Sequence, residues 1–204
     1  MRQLGGHFLS EEELRSAGFK KIGKNVKIHS RASLYGLENI EIGEDVRIDD
    51  FTVLIATGPL RIGNYVSIPN FCFIGAKYGI SIGNFVTLAP GVKIFSASDD
   101  YQGERLTGVM VPAEMTGGKH APVVIEDHVL IGCGSIVLPG CRIAIGCSIG
   151  ALSLVKTDLD PWGIYAGIPV TRRKDRKQDL IKYSELLKRS NDEKIRRGSG
   201  LAKL

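Results

Sequence analysis

The sequence predicts a mainly β protein in which short parallel strands wind into a triangular coil, a parallel β-helix. Two observations indicate this fold: aliphatic residues recur every six positions, and Ile-Gly pairs recur every twenty. Composition agrees, because 25 glycines and 7% aromatic residues favour many tight turns over long helices. A six-residue step matches neither the α-helical period of 3.6 nor a long alternating strand. It does match one short strand followed by one turn.

The repeat extends over most of the chain. Ile-Gly pairs begin at Ile22, Ile42, Ile62 and Ile82, and further aliphatics follow each pair at six-residue steps. Each coil is therefore three steps, or eighteen residues, with two more inserted before the next coil. After an interruption the step resumes without insertions, at Ile125, Ile131, Val137, Ile143, Ile149 and Val155. We expect these aliphatics to point inward and to stack on successive coils.

The residue four positions after each key aliphatic tends to be small. Cys72, Cys141 and Cys147 occupy this position, which predicts packing in a narrow interior rather than a metal or redox role. The sequence has no CxxC pair, and a cytoplasmic location would disfavour disulfides. We therefore predict no metal site and no disulfide.

Short helices are predicted at both ends of the repeat. Ser10 followed by Glu13 is a capping-box pattern, which predicts a helix over Glu11–Ala17. Residues 174–197 carry apolar side chains at roughly helical spacing. The predicted organisation is a helical lead-in over 1–21, a β-helix over 22–171 with an excursion loop over 95–122, and a basic C-terminal helix and tail over 172–204.

The net charge of +5 is concentrated at the C-terminus. Residues 172–204 contain twelve Lys and Arg against five Asp and Glu, a balance of +7 that leaves about −2 for the rest. Such a segment can bind nucleic acid, an acidic membrane or a phosphorylated cofactor, but no nucleic-acid-binding module accompanies it. No apolar run is long enough for membrane insertion, and the first residues lack a signal peptide's apolar stretch. We expect a cytoplasmic protein without a nucleic-acid partner.

The excursion loop over 95–122 is the first indication of function, because long excursions in a compact solenoid tend to be functional. Its first part is dense in polar groups that can hold a hydroxylated acceptor. The predicted substrate-binding residues are Ser98, Tyr101, Glu104 and Arg105.

The segments after the loop resemble a known family. Leu138-Pro139-Gly140 is followed by the run 149–158 and by Ala166-Gly167-Ile168-Pro169-Val170. This order, together with the repeats over 22–171, resembles the hexapeptide-repeat acyltransferases, in particular the galactoside, maltose and xenobiotic acetyltransferases. The resemblance implies a left-handed parallel β-helix, acetyl-CoA as acyl donor, and homotrimers with acceptor and cofactor between neighbouring prisms.

The resemblance also implies where coenzyme A binds. In the family the pantetheine arm lies along the terminal coils, where small residues let it approach the backbone. The implied contacts are Gly132, Ser135, Gly150, Ala151 and Ser153. For each glycine, a β-helix corner is an equally good explanation. The implied partners of the anionic 3′-phospho-ADP end are Lys156, Arg172, Arg173 and Lys174.

The family's catalytic base is a histidine early in the loop, and this chain has none near Ser98–Asp100, where it is expected. Transfer to an alcohol requires a base within hydrogen-bond reach and donors for the tetrahedral oxyanion. Asp99 or Asp100 can take the proton if desolvation raises its pKa, and His120 at the far end of the loop is a third candidate. An amine acceptor that arrives partly neutral would need no protein base.

Two other functions compete with catalysis of acyl transfer. A zinc carbonic anhydrase needs three histidine ligands from neighbouring coils. His29 is remote and His7 precedes the repeat, which leaves only His120 and His128, and the latter is interpreted as structural. A non-catalytic trimeric scaffold is the remaining alternative, favoured by the missing loop histidine.

Taken together, these features predict an acyl-CoA-dependent acyltransferase. The predicted reaction is O-acetylation of a sugar or surface-polysaccharide precursor, and the alternative is N-acetylation of a nucleotide-linked amino sugar. Acetyl is the expected acyl group by default.

Overall fold

The chain is described by a computed structural model, in which the backbone of residues 5–200 and the side chains of residues 5–190 are defined. It forms a solenoid of about seven turns in which consecutive strands belong to three different sheets, so the turns are three-sided. Parallel pairing joins every coil to the next. The predicted mainly β solenoid with a helix at either end is confirmed.

Face 1 of this prism is a six-stranded parallel sheet. Its strands are β1 (Lys21–Ile22), β4 (Ile40–Ile42), β7 (Leu60–Ile62), β10 (Ile80–Ile82), β13 (Val123–Ile125) and β16 (Arg142–Ile143). Face 2 has eight strands: β2 (Lys27–Ile28), β5 (Arg47–Ile48), β8 (Ser67–Ile68), β11 (Thr87–Leu88), β14 (Leu130–Ile131), β17 (Ser148–Ile149), β19 (Gly163–Gly167) and β20 (Val170–Asp175). Face 3 has six: β3 (Ser33–Tyr35), β6 (Val53–Ile55), β9 (Phe73–Gly75), β12 (Lys93–Phe95), β15 (Ile136–Val137) and β18 (Leu154–Val155).

The six-residue aliphatics fill the interior of the prism. Ile28 pairs in register with Ile48, and the next residue twenty positions along, Ile68, continues the stack; all three are at most 2% exposed. Beyond the loop the register shortens to eighteen residues, as between Ile131 and Ile149. Each buried aliphatic contributes about 1.5–3 kcal/mol relative to its exposed state, and the stack therefore supplies most of the apolar stabilisation.

Corners of the prism place non-glycine residues at positive φ. At the first corner, between faces 1 and 2, Tyr65, Phe85 and His128 have φ of 58°, 56° and 62°. Their rings form a column with centroid spacings of 4.7 and 5.0 Å. This stacking offsets part of the cost of the left-handed backbone. The structural interpretation of His128 agrees with its place in the column.

Helix α1 (Glu11–Ser16) closes the N-terminal end with the predicted capping box between Ser10 and Glu13. Helix α2 (Leu180–Gly200) lies near the C-terminus and begins six residues later than the helical spacing suggests. The reason is that Val170–Asp175 forms β20, antiparallel to β19. No helix in the described part of the chain has the length and apolarity required to span a bilayer.

Candidate active site

The excursion loop leaves the prism at its third corner, between faces 3 and 1, and its two ends are paired. The amide of Ser98 donates to the carbonyl of Lys119 at 3.0 Å, and that of Ala121 donates to Ser96 at 3.1 Å. His120 forms an antiparallel bridge with Ala97. The fold therefore brings His120, from the far end of the loop, within two positions of Asp99.

Asp100 holds the first turn of the loop. Its carboxylate oxygens accept hydrogen bonds from the backbone amides of Gln102, at 2.7 Å, and Arg105, at 2.6 Å. These bonds stabilise the ionised form and keep the pKa of Asp100 below its ordinary value of 3.8. Both oxygens are thus engaged by the loop backbone, and the low pKa makes this carboxylate a weak proton acceptor.

Asp99 is exposed and lines a cleft of about 390 Å³ on the loop. Within the part of the chain whose side chains are defined, its carboxylate forms no hydrogen bond or ion pair. All four predicted substrate-binding residues line the same cleft: Ser98, Tyr101, Glu104 and Arg105. The structure thus gathers the unpaired carboxylates of Asp99 and Glu104 and the other predicted acceptor ligands in one place.

His120 does not line this cleft. Its imidazole stacks on the ring of Tyr78, with centroids 4.4 Å apart and planes inclined by 12°. Sequence reasoning missed Tyr78, and Lys119, which lines the cleft. The signal for Tyr78 was an aromatic side chain at a corner, two residues before the buried Ile80.

The predicted pantetheine contacts cluster at the second corner, between faces 2 and 3. A Cβ built on Gly132 would lie 2.5 Å from the amide nitrogen of Ala151 and 2.7 Å from the carbonyl carbon of Gly150. Two coils therefore pass so closely at this corner that only glycine fits. Ala151 itself is exposed at its outer edge.

The two predicted serines of this corner point inward. The Ser135 hydroxyl donates to the carbonyl of Gly150 at 2.9 Å and accepts from the amide of Ser153 at 3.2 Å. The Ser153 hydroxyl accepts from the amide of Gly167 at 3.2 Å. Both side chains are buried, so in this structure their hydroxyls hold the corner together.

The four predicted phosphate partners are spread over two regions. Arg172 is engaged by Asp175 at 2.9 Å and by the hydroxyl of Tyr165 at 3.2 Å. Arg173 lies nearer the second corner, where it donates to the carbonyl of Ala166 at 3.2 Å. Lys174 is exposed on β20, and Lys156 is exposed at the third corner, after β18.

The loop and the second corner lie on opposite edges of face 3. About five residues separate the two edges, which at about 3.3 Å per residue corresponds to roughly 17 Å. A larger cavity of about 720 Å³ lies elsewhere, at the N-terminal end, where α1 incompletely covers the first coil beside Phe8, Leu14 and Ile22. No cluster of three or more metal-ligating side chains occurs among the described residues.

Comparisons with known proteins decide the family. No protein-family model matches the chain. The dTDP-4-amino-4,6-dideoxy-D-glucose acyltransferase of Escherichia coli is 39% identical over 184 residues, which cover 90% of this chain and 96% of that enzyme. The chain belongs to the hexapeptide-repeat acyltransferases. The predicted family is thereby confirmed.

Solved structures of other acyltransferases agree with this membership. AntD, an N-acyltransferase from Bacillus cereus in complex with dTDP and 3-hydroxybutyryl-CoA, superposes with a TM-score of 0.86 and 39% identity over 90% of this chain and 98% of AntD. A hexapeptide-repeat-containing acetyltransferase from Vibrio cholerae shares the fold, with a TM-score of 0.56, 22% identity and 83% coverage of both chains.

Proposed function

We propose that this acyltransferase moves an acyl group from coenzyme A to the amino group of a dTDP-linked amino sugar. The observation that carries the proposal is the 39% identity, over nearly the whole of both chains, to an enzyme named for a dTDP-linked 4-amino sugar. This similarity supports N-acylation more than the predicted O-acetylation of a polysaccharide precursor.

The missing loop histidine fits an amine acceptor. A neutral amine carries its own lone pair and attacks the thioester carbonyl without prior removal of a proton, whereas an alcohol needs a base. In the proposed step the C–N bond forms, a tetrahedral oxyanion appears and collapses, and the C–S bond breaks. The amine loses one proton and the departing thiolate of coenzyme A gains one, so an amide and free coenzyme A result.

Asp99 is the group we assign to the acceptor's amine. Its carboxylate is exposed in the loop cleft and has no hydrogen-bond partner among the described side chains, which is also true of Glu104. Asp99 is preferred because it lies where the family's loop histidine is expected. A carboxylate there can orient the amine and accept its proton as the C–N bond forms. Asp100 acts on the reaction indirectly, through the turn that positions Asp99.

The second corner is the proposed path of the pantetheine arm. The exposed Ala151 offers its backbone at the outer edge of this corner, while Gly132 lets the two coils pass closely there. Ser135 and Ser153 contribute by holding that corner, while Arg173, Lys174 and Lys156 remain the proposed partners of the phosphates. Arg172 is less available because Asp175 and Tyr165 already engage it.

Separation of the loop from the second corner supports assembly of the site between copies of the chain. A homotrimer would place the loop of one copy beside the second corner of its neighbour, as the family resemblance implies. In such a cyclic, head-to-tail trimer every loop contacts a second corner and every second corner contacts a loop, so neither surface is left without a partner.

The test of the proposed function is product identification. Purified protein is incubated with dTDP-4-amino-4,6-dideoxyglucose and either acetyl-CoA or 3-hydroxybutyryl-CoA, and the product is analysed by mass spectrometry and NMR. We expect an amide at the sugar nitrogen and stoichiometric free coenzyme A, with acetyl-CoA the better donor. Absence of the amide with both donors would reject the proposed function. A preference for 3-hydroxybutyryl-CoA would reject only the acetyl assignment.

A further inference from the structure

Two stacked aromatic rings lie exposed at the root of the excursion loop. The rings of Tyr78 and His120 are 4.4 Å apart at their centroids and nearly parallel. Tyr78 remains 41% exposed, and His120 is exposed as well. The proposed reaction has no use for this pair, since His120 does not line the cleft that contains Asp99. An exposed, parallel aromatic pair is suited to extending its stack with another planar ring.

Both rings are held by ordered backbone. The amide of Tyr78 donates to the hydroxyl of Ser96 at 2.9 Å, and that fully buried hydroxyl donates in turn to the carbonyl of Gly75 at 3.0 Å. His120 is fixed through its bridge to Ala97. A surface positioned in this way loses little conformational entropy when a ligand stacks on it.

Positive charge flanks the rings. The Lys77 ammonium lies 5.6 Å from the centroid of the Tyr78 ring, and Lys119 precedes His120 in the chain. Neither lysine is ion-paired with a carboxylate among residues 5–190. A planar platform with free cations beside it matches a nucleoside diphosphate, which joins an aromatic base to two negatively charged phosphates.

The position of the platform also suits the acceptor. Tyr78 belongs to the third corner one coil before the loop, whereas Lys119 extends toward Gly140 one coil after it, with its Cε 3.3 Å from a Cβ built on that glycine. The cleft with Asp99 lies on the loop between these coils. Because Lys119 lines this cleft and is followed by His120, a nucleotide bound at the rings would lie next to the cleft.

We propose that Tyr78 and His120 form the stacking platform for the acceptor's nucleobase, with Lys77 and Lys119 as partners of its diphosphate. This inference rests on the proposed function and adds the residues that recognise the nucleotide part of the acceptor. His120 is thereby assigned to binding the nucleobase, and Tyr78 to supporting the His120 imidazole by stacking on it.

The experiment measures dTDP binding by isothermal titration calorimetry on the full-length protein. His120→Leu and Tyr78→Leu are each expected to raise the Kd of dTDP about tenfold, because an aliphatic side chain cannot replace ring stacking. The matched variants His120→Phe and Tyr78→Phe keep the rings and are expected to stay within about threefold of the wild type. Lys77→Gln and Lys119→Gln should weaken dTDP and inorganic pyrophosphate alike, whereas the ring variants should leave pyrophosphate binding unchanged.

Coenzyme A binding and the melting temperature serve as controls for folding. The inference is overturned if both leucine variants bind dTDP like the wild type, if the phenylalanine variants lose as much affinity as the leucine variants, or if the wild type does not bind dTDP. A protein that acylates the amino sugar yet shows any of these results disproves the platform and leaves the proposed function standing. Conversely, if the variants change the Kd of dTDP as predicted but the protein does not acylate the amino sugar, the platform is supported and the proposed reaction is rejected.

Discussion

At the scale of single residues, two adjacent carboxylates have different surroundings. Asp100 accepts two backbone hydrogen bonds, and its pKa is lowered in consequence. Its contribution to loop order is therefore present above pH 3.8 and is lost only as pH falls through the lower folded-state value. A change in rate between pH 5 and pH 8 would have to come from another group. Asp99 has no such partners among the described side chains and faces the cleft.

Replacing Asp99 tests its proposed role as the proton acceptor. Asp99→Asn is expected to lower kcat about 100-fold or more, the usual range for loss of a proton acceptor, with the KM for acyl-CoA unchanged. Glu104→Gln, at another carboxylate lining the cleft, is the matched control and should lower kcat far less. Steady-state kinetics with both substrates varied gives the answer. Wild-type turnover in Asp99→Asn would move proton acceptance to solvent or to the substrate itself.

The four cysteines also differ from one another in their surroundings. Burial raises the pKa of Cys72 to about 11 and raises the pKa values of Cys141 and Cys147 as well, whereas Cys133 is exposed. We predict that one thiol of the native protein reacts rapidly with a disulfide reagent at pH 8, and that all four react after denaturation. Cys133→Ser should abolish the fast phase. A fast phase that survives this substitution would show that a core position is more open than the packing indicates.

At the scale of elements, the second corner depends on buried hydroxyls. Ser135→Ala leaves the carbonyl of Gly150 and the amide of Ser153 without this partner, which costs about 1–3 kcal/mol when the groups are buried. Ser148→Ala, on a half-exposed strand position of the neighbouring coil, is the control and should stay within about 0.5 kcal/mol. Urea unfolding at a fixed protein concentration compares the two. Equal stability of the two variants would contradict the structural role of Ser135.

The strands of the prism differ in how far the sequence predicts them. The six-residue step predicted the buried positions because each coil repeats the same inward direction, and Ile28, Ile48 and Ile68 all lie in the core. The six-residue step could not predict β20, because none of its central residues, Arg172, Arg173 and Lys174, is an aliphatic residue of the repeat. This strand is defined instead by its antiparallel pairing with β19.

The candidate site was harder to predict for a related reason. The loop has no period, so its position in the chain was evident while its internal contacts were not. That Asp100 is held by backbone amides, and that His120 stacks on Tyr78, depends on how the two ends of the loop meet. Small residues at the second corner were recognisable, but their inward-pointing hydroxyls follow from the packing of one coil on the next.

At the scale of the whole molecule, the two halves of the proposed site lie on opposite edges of face 3. Asp99 lines the cleft at the loop edge, whereas the exposed Ala151 lies at the opposite edge. If the site forms between copies, a loop variant and a corner variant should complement each other.

Complementation can be measured with Asp99→Asn and Ala151→Trp, the second of which places bulk on the proposed path of the pantetheine arm. Each protein alone should be nearly inactive. Co-expressed trimers should regain about a quarter of wild-type activity, because random mixing joins an intact loop to an intact corner at about one interface in four. Light scattering would establish the trimer independently. A mixture no more active than its parents would place the whole site within one copy.

In the proposed reaction nitrogen, rather than oxygen, attacks the thioester. The decisive measurement is the ratio of kcat/KM for two acceptors that differ in one group, dTDP-4-amino-4,6-dideoxyglucose and the same dTDP-sugar with a hydroxyl at C4. A neutral amine attacks through its own lone pair, whereas an alcohol needs a stronger base than a carboxylate such as that of Asp99, so we predict a ratio of about 1,000 or more in favour of the amine. Comparable rates with the two acceptors, or a preference for the hydroxyl sugar, would contradict it.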